Sequence, residues 1–171
     1  MYPDFNMYNS YYGFDEYNYR GANQINANTY NEEIITLNQA IELIRQSVGN
    51  EKEDELFYDT LIKQAPTEDE KEIIRSIRDD EKKHNKILRD LYYSFTGQMI
   101  PQNMISPSGE NKSSYKENLE KALFGELEAV KKYRRIMGTM PSGNSYILLM
   151  SIMTDELRHA SKYNYLIHKA G

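Results

Sequence analysis

The hexapeptide DDEKKH at 79–84 returns as TDELRH at 154–159, and the 75-residue offset between them relates far more than these two stretches. It lays Glu51 on Glu126, Tyr58 on Tyr133, Pro66 on Pro141, Ile77 on Ile152, Asp80 on Asp155, Glu81 on Glu156, His84 on His159 and Leu91 on Leu166. Two copies of so long a unit are too few for a solenoid, so the pattern is an internal duplication. Inside each copy apolar residues recur every three or four positions, the period of a helix with one buried face. The first such segment carries Leu37, Ile41, Ile44, Val48, Tyr58 and Ile62 and stops before Pro66. The second opens on Thr67 and Glu70, a capping-box pattern, and runs through Ile74, Ile77, Leu88, Leu91 and Phe95 to Gly97. Residues 98–112, with two prolines and a glycine, read as a loop. A third segment starts at Ser114 with Glu117, and a fourth follows Pro141. The expectation is an all-α, antiparallel four-helix bundle of two duplicated hairpins, with helices at about 31–65, 67–97, 113–138 and 142–169. The 15-residue crossover between hairpins spans roughly 50 Å extended, against roughly 40 Å for a helix of this length, so it can return along the bundle.

Glu51, Glu81, His84, Glu126, Glu156 and His159 fall on the apolar seams of these helices. An ionised carboxylate on a core face is costly unless something pairs with it. Glu51 and Glu81 each lie 15 residues from Pro66, and Glu126 and Glu156 lie 15 from Pro141. At 1.5 Å per residue all four sit roughly 22 Å from their turns, hence in one layer at mid-bundle. Two divalent cations would neutralise the four carboxylates, with both imidazoles neutral and each bound through one nitrogen. One Glu from each of two helices, plus Glu-x-x-His from each of the other two, is a di-iron or di-manganese ligand set. Glu81 and Glu156 are expected to bridge, with Glu51 and Glu126 terminal and one His per metal. Such a centre leaves positions open for dioxygen or peroxide. Asp80 and Asp155 are candidates to accept the free N–H of a metal-bound His; the alternative is an exposed acid. Tyr58 and Tyr133 are candidate donors to bound oxygen species, or tyrosines that only pack. His168 stands outside the pattern. The alternative for the whole set is a duplicated bundle that has lost its metal.

The net charge of −5 and pI near 5.3 leave no extended basic surface for nucleic acid or anionic lipid. The one basic run, KKYRR at 131–135, reads as a solvated face. With no cysteine, disulfides, thiolate zinc sites and thiol catalysis are excluded. No stretch nears the roughly 18 apolar residues of a membrane span, and no secretory pattern opens the chain, so a cytoplasmic protein is expected. Residues 1–30 hold seven of the 15 tyrosines, six Asn and only three aliphatic residues, and read as a disordered or partner-dependent tail.

GELEAVKKY at 125–133 and, more loosely, NEKEDELFY at 50–58 resemble the motifs of rubrerythrin-type members of the ferritin-like superfamily. The resemblance covers about 30–170. It implies a four-helix bundle holding two divalent metal ions, iron ahead of manganese. It also implies peroxide reduction, ferroxidase or manganese-catalase-type chemistry on a small-molecule oxidant, in a homo-oligomer (dimer or larger). Full-length rubrerythrins carry a Cys-rich domain that delivers electrons, and its lack here implies an external electron donor. They also carry a further Glu three residues after the third-helix ligand, where this chain has Ala129; Asp54 holds the equivalent place on the first helix as a substitute. A different class of function also fits a ferritin-like frame: a structural or spore-coat-associated protein whose Tyr-rich tail is an assembly element.

Overall fold

The computed structural model describes residues 34–48, 51–101 and 113–171, with residues 51–54 by their backbone alone. The expected tail at 1–30 and most of the crossover lie outside the described residues. Five helices follow in order: α1 (Leu37–Ser47), α2 (Glu51–Gln64), α3 (Glu68–Thr96), α4 (Tyr115–Met137) and α5 (Asn144–Ala170). No strand occurs among the described residues.

The first predicted helix is therefore two. It starts at 37 rather than 31, because Thr36 and Gln39 form a reciprocal capping box. It stops at Val48, whose ψ of 62° is not helical. The next two residues in the sequence are Gly and Asn, both weak helix formers. Helix α3 ends as expected on Gly97, left-handed at φ 68°. Its start differs in detail. The Thr67 hydroxyl accepts from the Glu70 N–H at 3.3 Å, but the Glu70 carboxylate does not reach back to the Thr67 backbone. It accepts instead from the Thr67 hydroxyl and from the Tyr115 hydroxyl, each at 3.0 Å, and Lys169 lies 3.6 Å away. The buried Glu70 thus ties the start of α3 to α4 and α5.

Helices α1 and α2 pack on α3 and on α4, while α5 packs on α4 and α3, which is the cycle of contacts of a four-cornered bundle. Its core is in two parts. Ile44, Val48, Leu88, Leu91, Tyr133, Ile136, Leu149 and Ile152 belong to one cluster. Tyr58, Leu61, Ile74, Ile77, Leu119, Tyr163 and Leu166 belong to the other. Each fully buried aliphatic side chain contributes roughly 1.5–3 kcal/mol of transfer free energy. Along every long helix the two clusters are separated by the same kind of interruption. On α3 it is Glu81 and His84, on α4 Glu126, on α5 Glu156 and His159. The break between α1 and α2 falls at this level too. The sequence therefore builds two apolar plugs with a polar layer between them.

Candidate metal centre

Four of the predicted ligands, Glu81, Glu126, Glu156 and His159, offer ligand atoms that all lie within 4.8 Å of one another. His84 faces the same group. Its Nδ1 is 3.4 Å from Glu81 Oε1 and 3.5 Å from Glu156 Oε1. On the other side His159 Nδ1 lies 3.1 Å from Glu81, 3.4 Å from Glu156 and 3.8 Å from Glu126. The two rings are 5.8 Å apart. Glu81 and Glu156 thus approach both imidazoles, while Glu126 approaches only His159. The duplicate of Glu126 is Glu51, at the start of α2; its side chain, like that of Asp54, lies outside the described residues.

The outer nitrogens of the imidazoles are held across the two copies of the duplication. His84 Nε2 is 3.1 Å from Asp155 Oδ2, and His159 Nε2 is 3.3 Å from Asp80 Oδ2. An ionised aspartate can only accept, so each Nε2 carries a proton, and in the neutral ring that a metal requires the Nδ1 lone pair faces the centre. Arg158 joins the two aspartates. Its Nη2 donates to Asp80 at 2.8 Å and lies 2.9 Å from Asp155. Lys83 adds a contact to Asp80 at 3.0 Å.

The layer is largely buried. His159 and Glu156 are 0% and 1% exposed, with His84 and Glu126 below a tenth. Glu81, more open, meets a cavity of about 440 Å³ whose walls include Ser47, Tyr58, His84, Leu88 and Tyr133. Within the layer Glu81 Oε1, His84 Nδ1, Glu156 Oε2 and His159 Nδ1 are buried without a hydrogen-bond partner. Each such atom costs roughly 1–3 kcal/mol if left so. Four atoms of ligand type converge at ion-pair distance but out of hydrogen-bonding geometry, and this is the condition that coordinated divalent cations relieve. The residues present fit such a cation.

Without cations, protons take their place. Burial works against charge on His84, but Glu156 and Glu81 outweigh it and push the ring up to about 10. Burial is likewise outweighed at His159, which rises to about 9 through Glu156, Glu81 and Asp80. At Glu126 burial comes first and Glu156 and Glu81 add to it, so its carboxyl rises to about 10. Glu156 goes the other way. Burial opposes its charge, but both imidazoles and Glu126 hold it down at about 2. Asp80, despite burial, is held at about 2 by Lys83, His159 and Arg158.

Tyr58 and Tyr133 are buried beside the layer. Burial, then neighbouring groups that include Glu81, raise both hydroxyls well above the ordinary phenol, so they keep their protons. His168 lies in the last turn of α5, away from the layer. Sequence reasoning missed two residues. Arg158 had a signal, since the offset lays it on Lys83, also basic. Tyr163 follows Glu156 by seven residues, as Tyr58 follows Glu51 and Tyr133 follows Glu126; only Glu81 has a Leu there, Leu88.

A sequence model of the rubrerythrin family matches residues 16–112. The chain belongs to the rubrerythrin family. The match spans the first copy of the duplication, and Glu126, Glu156 and His159 enter through the second. No curated protein matches. The solved structure of a hypothetical protein from Pyrococcus furiosus is similar, with a TM-score of 0.63 and 21% identity over 78% of this chain and 94% of that one. That likeness is one of fold. Rubrerythrins bind two iron ions, so this chain is a ferritin-like protein of di-metal type. Among the described residues no helix is long and apolar enough to cross a membrane.

Proposed function

We propose that this rubrerythrin-family protein is a di-metal oxidoreductase that reduces hydrogen peroxide or dioxygen. Glu51, Glu81, His84, Glu126, Glu156 and His159 would hold two ions, iron ahead of manganese. The observation that carries the reading is the convergence of four buried, unpartnered ligand atoms from α3 and α5 on one layer, which Glu126 of α4 joins. Two bound metal ions together supply the two electrons that cleave an O–O bond without releasing radicals.

The chain's own residues supply the rest. Asp80 and Asp155 keep the imidazole protons on Nε2, so that Nδ1 stays a lone-pair donor. Burial of the layer strengthens the charge interactions within it. Tyr58 and Tyr133 line the cavity that meets Glu81 and His84, and hold O–H donors there for an incoming oxidant. Reduction of hydrogen peroxide takes two electrons and two protons and yields two waters; the electrons come from an external donor. The geometry leaves both substrates in play, and the wide cavity suits either.

The test is metal analysis of iron-reconstituted protein followed by peroxide consumption under a supply of reductant. Turnover that depends on the metal and disappears in Glu156→Ala supports the reading. Metal-loaded protein that leaves peroxide and dioxygen untouched overturns it.

A further inference from the structure

The cavity that meets Glu81 and His84 measures about 440 Å³. A molecule of liquid water takes about 30 Å³, so hydrogen peroxide would leave most of this space to solvent. The volume falls instead in the range of sites for small organic molecules, about 300–1,000 Å³. Tyr58, Tyr133 and Leu88 are buried and give the cavity an apolar wall. Arg78, Lys82, Lys86 and Arg89 of α3 give it a cationic one. At 3.6 residues per turn these four fall within roughly 80° of arc around the helix, in a stripe beside the one that carries Glu81, His84 and Leu88. Two of them are already engaged. Arg78 donates to Asp79 at 3.0 Å, and Arg89 donates to Asn85 at 2.9 Å and to the Ile100 carbonyl at 2.8 Å. Lys82 and Lys86 are exposed, one turn apart, and neither forms an ion pair with a described residue. Like charges at this spacing repel each other along a helix. Against them the described walls set only Glu55 and Glu81, and Glu81 is committed to the metal layer. In a chain of net charge −5 the stripe is a local reversal of sign, and it focuses a positive field on the cavity.

We propose that this cavity takes an organic hydroperoxide bearing a carboxylate, with the carboxylate on Lys82 and Lys86, the hydrocarbon against Tyr58, Tyr133 and Leu88, and the O–O group toward Glu81 and His84. The inference rests on the reading of the chain as a peroxide-reducing di-metal protein and names a substrate class for it. In the step the O–O bond breaks, and R–O–OH becomes R–OH and water. Two protons come from solvent and two electrons from the ferrous pair, which the external donor then reduces again. Lys82 and Lys86 hold the carboxylate and take no part in the bond changes.

The experiment uses the full chain loaded with ferric iron, and 4-isopropylbenzoate, an unreactive carboxylate, titrated by calorimetry. Lys82→Gln combined with Lys86→Gln should weaken its binding about 10-fold, the effect of two exposed charge contacts, with iron content unchanged and the melting temperature no lower. The neutral 4-isopropylbenzamide should bind the unaltered chain about as weakly as the benzoate binds the variant. Lys131→Gln, on α4 and outside the cavity walls, should leave benzoate binding as it is. In single turnovers of the ferrous protein, cumene hydroperoxide carrying a para-carboxylate should react faster than cumene hydroperoxide itself, and the double variant should lose that preference. Benzoate affinity in the variant within twofold of the unaltered chain, or equal affinity for the amide, overturns the proposal. So does a weaker affinity that comes with lost iron, since the lysines would then support the layer rather than hold an anion. If hydrogen peroxide is consumed and the two hydroperoxides react alike, this proposal fails and the oxidoreductase reading stands. If no peroxide of any kind is consumed, that reading fails and takes this one with it.

Discussion

Stripped of metal, the bundle should melt at progressively lower temperature as pH rises from 5 to 8. Glu126 carries the effect below about pH 6.5, and His84 and His159 join it above. Its carboxyl rises from an ordinary 4.5 to about 10, first through burial and then through Glu156 and Glu81. A group with a raised folded-state value contributes stability that is complete below its unfolded value and is lost as pH climbs through the folded one. Between pH 5 and 8 the folded chain thus holds one proton that the unfolded chain has released. One such proton changes stability by about 1.4 kcal/mol per pH unit, so Glu126 alone accounts for a loss on the order of 4 kcal/mol across the window. For a chain of this size that lowers the midpoint by roughly 10 °C. His84 and His159, raised to about 10 and 9, have the same sign and steepen the fall above their unfolded value of 6.5. Glu156, held at about 2, has the opposite sign, but its contribution is lost only as pH drops from 4.5 toward 2. Calorimetry of metal-free protein at half-unit steps of pH is the assay. Glu126→Gln should flatten the slope between pH 5 and 6.5. A midpoint that climbs with pH in the metal-free protein, or a Gln variant with an unchanged slope, refutes the reasoning.

Glu156→Ala should abolish metal binding with helix content retained, by elemental analysis and circular dichroism, whereas His168→Ala should change neither. Asp80→Asn should weaken metal binding about 10–100-fold by freeing the His159 ring, read from competition with a chelator; Arg158→Ala, which releases both aspartates, should weaken it at least as much. Ile74→Ala, in a fully buried position remote from the layer, should cost about 2–5 kcal/mol in denaturant unfolding while metal stoichiometry stays the same.

The helical bundle was legible because each seam repeats with a helical period and the two copies repeat each other. Titratable residues at six seam positions, matched in three pairs across 75 residues, marked the polar layer before its geometry was known. The break after Val48 had a signal in Gly49 and Asn50, both weak helix formers, but the apolar seam continues across it with the same period and hid it. The aspartates could be named but not paired. Sequence spacing puts Asp80 beside His84, whereas packing sends it to His159 on α5 and brings Asp155 to His84. That exchange depends on how the hairpins face each other, which no single-helix pattern encodes. Arg158 was hidden for the same reason, since its two partners sit on different helices.

The most direct test of the account is the number of metal ions per chain. Protein reconstituted anaerobically with ferrous iron, freed of excess metal and measured by elemental analysis against amino-acid quantitation, should hold two ions per chain. Glu81→Ala, which removes a carboxylate shared by both imidazoles, should hold none tightly. Iron at zero or one per chain in the unaltered protein, or two retained in Glu81→Ala, contradicts the central claim that this polar layer is a di-metal centre.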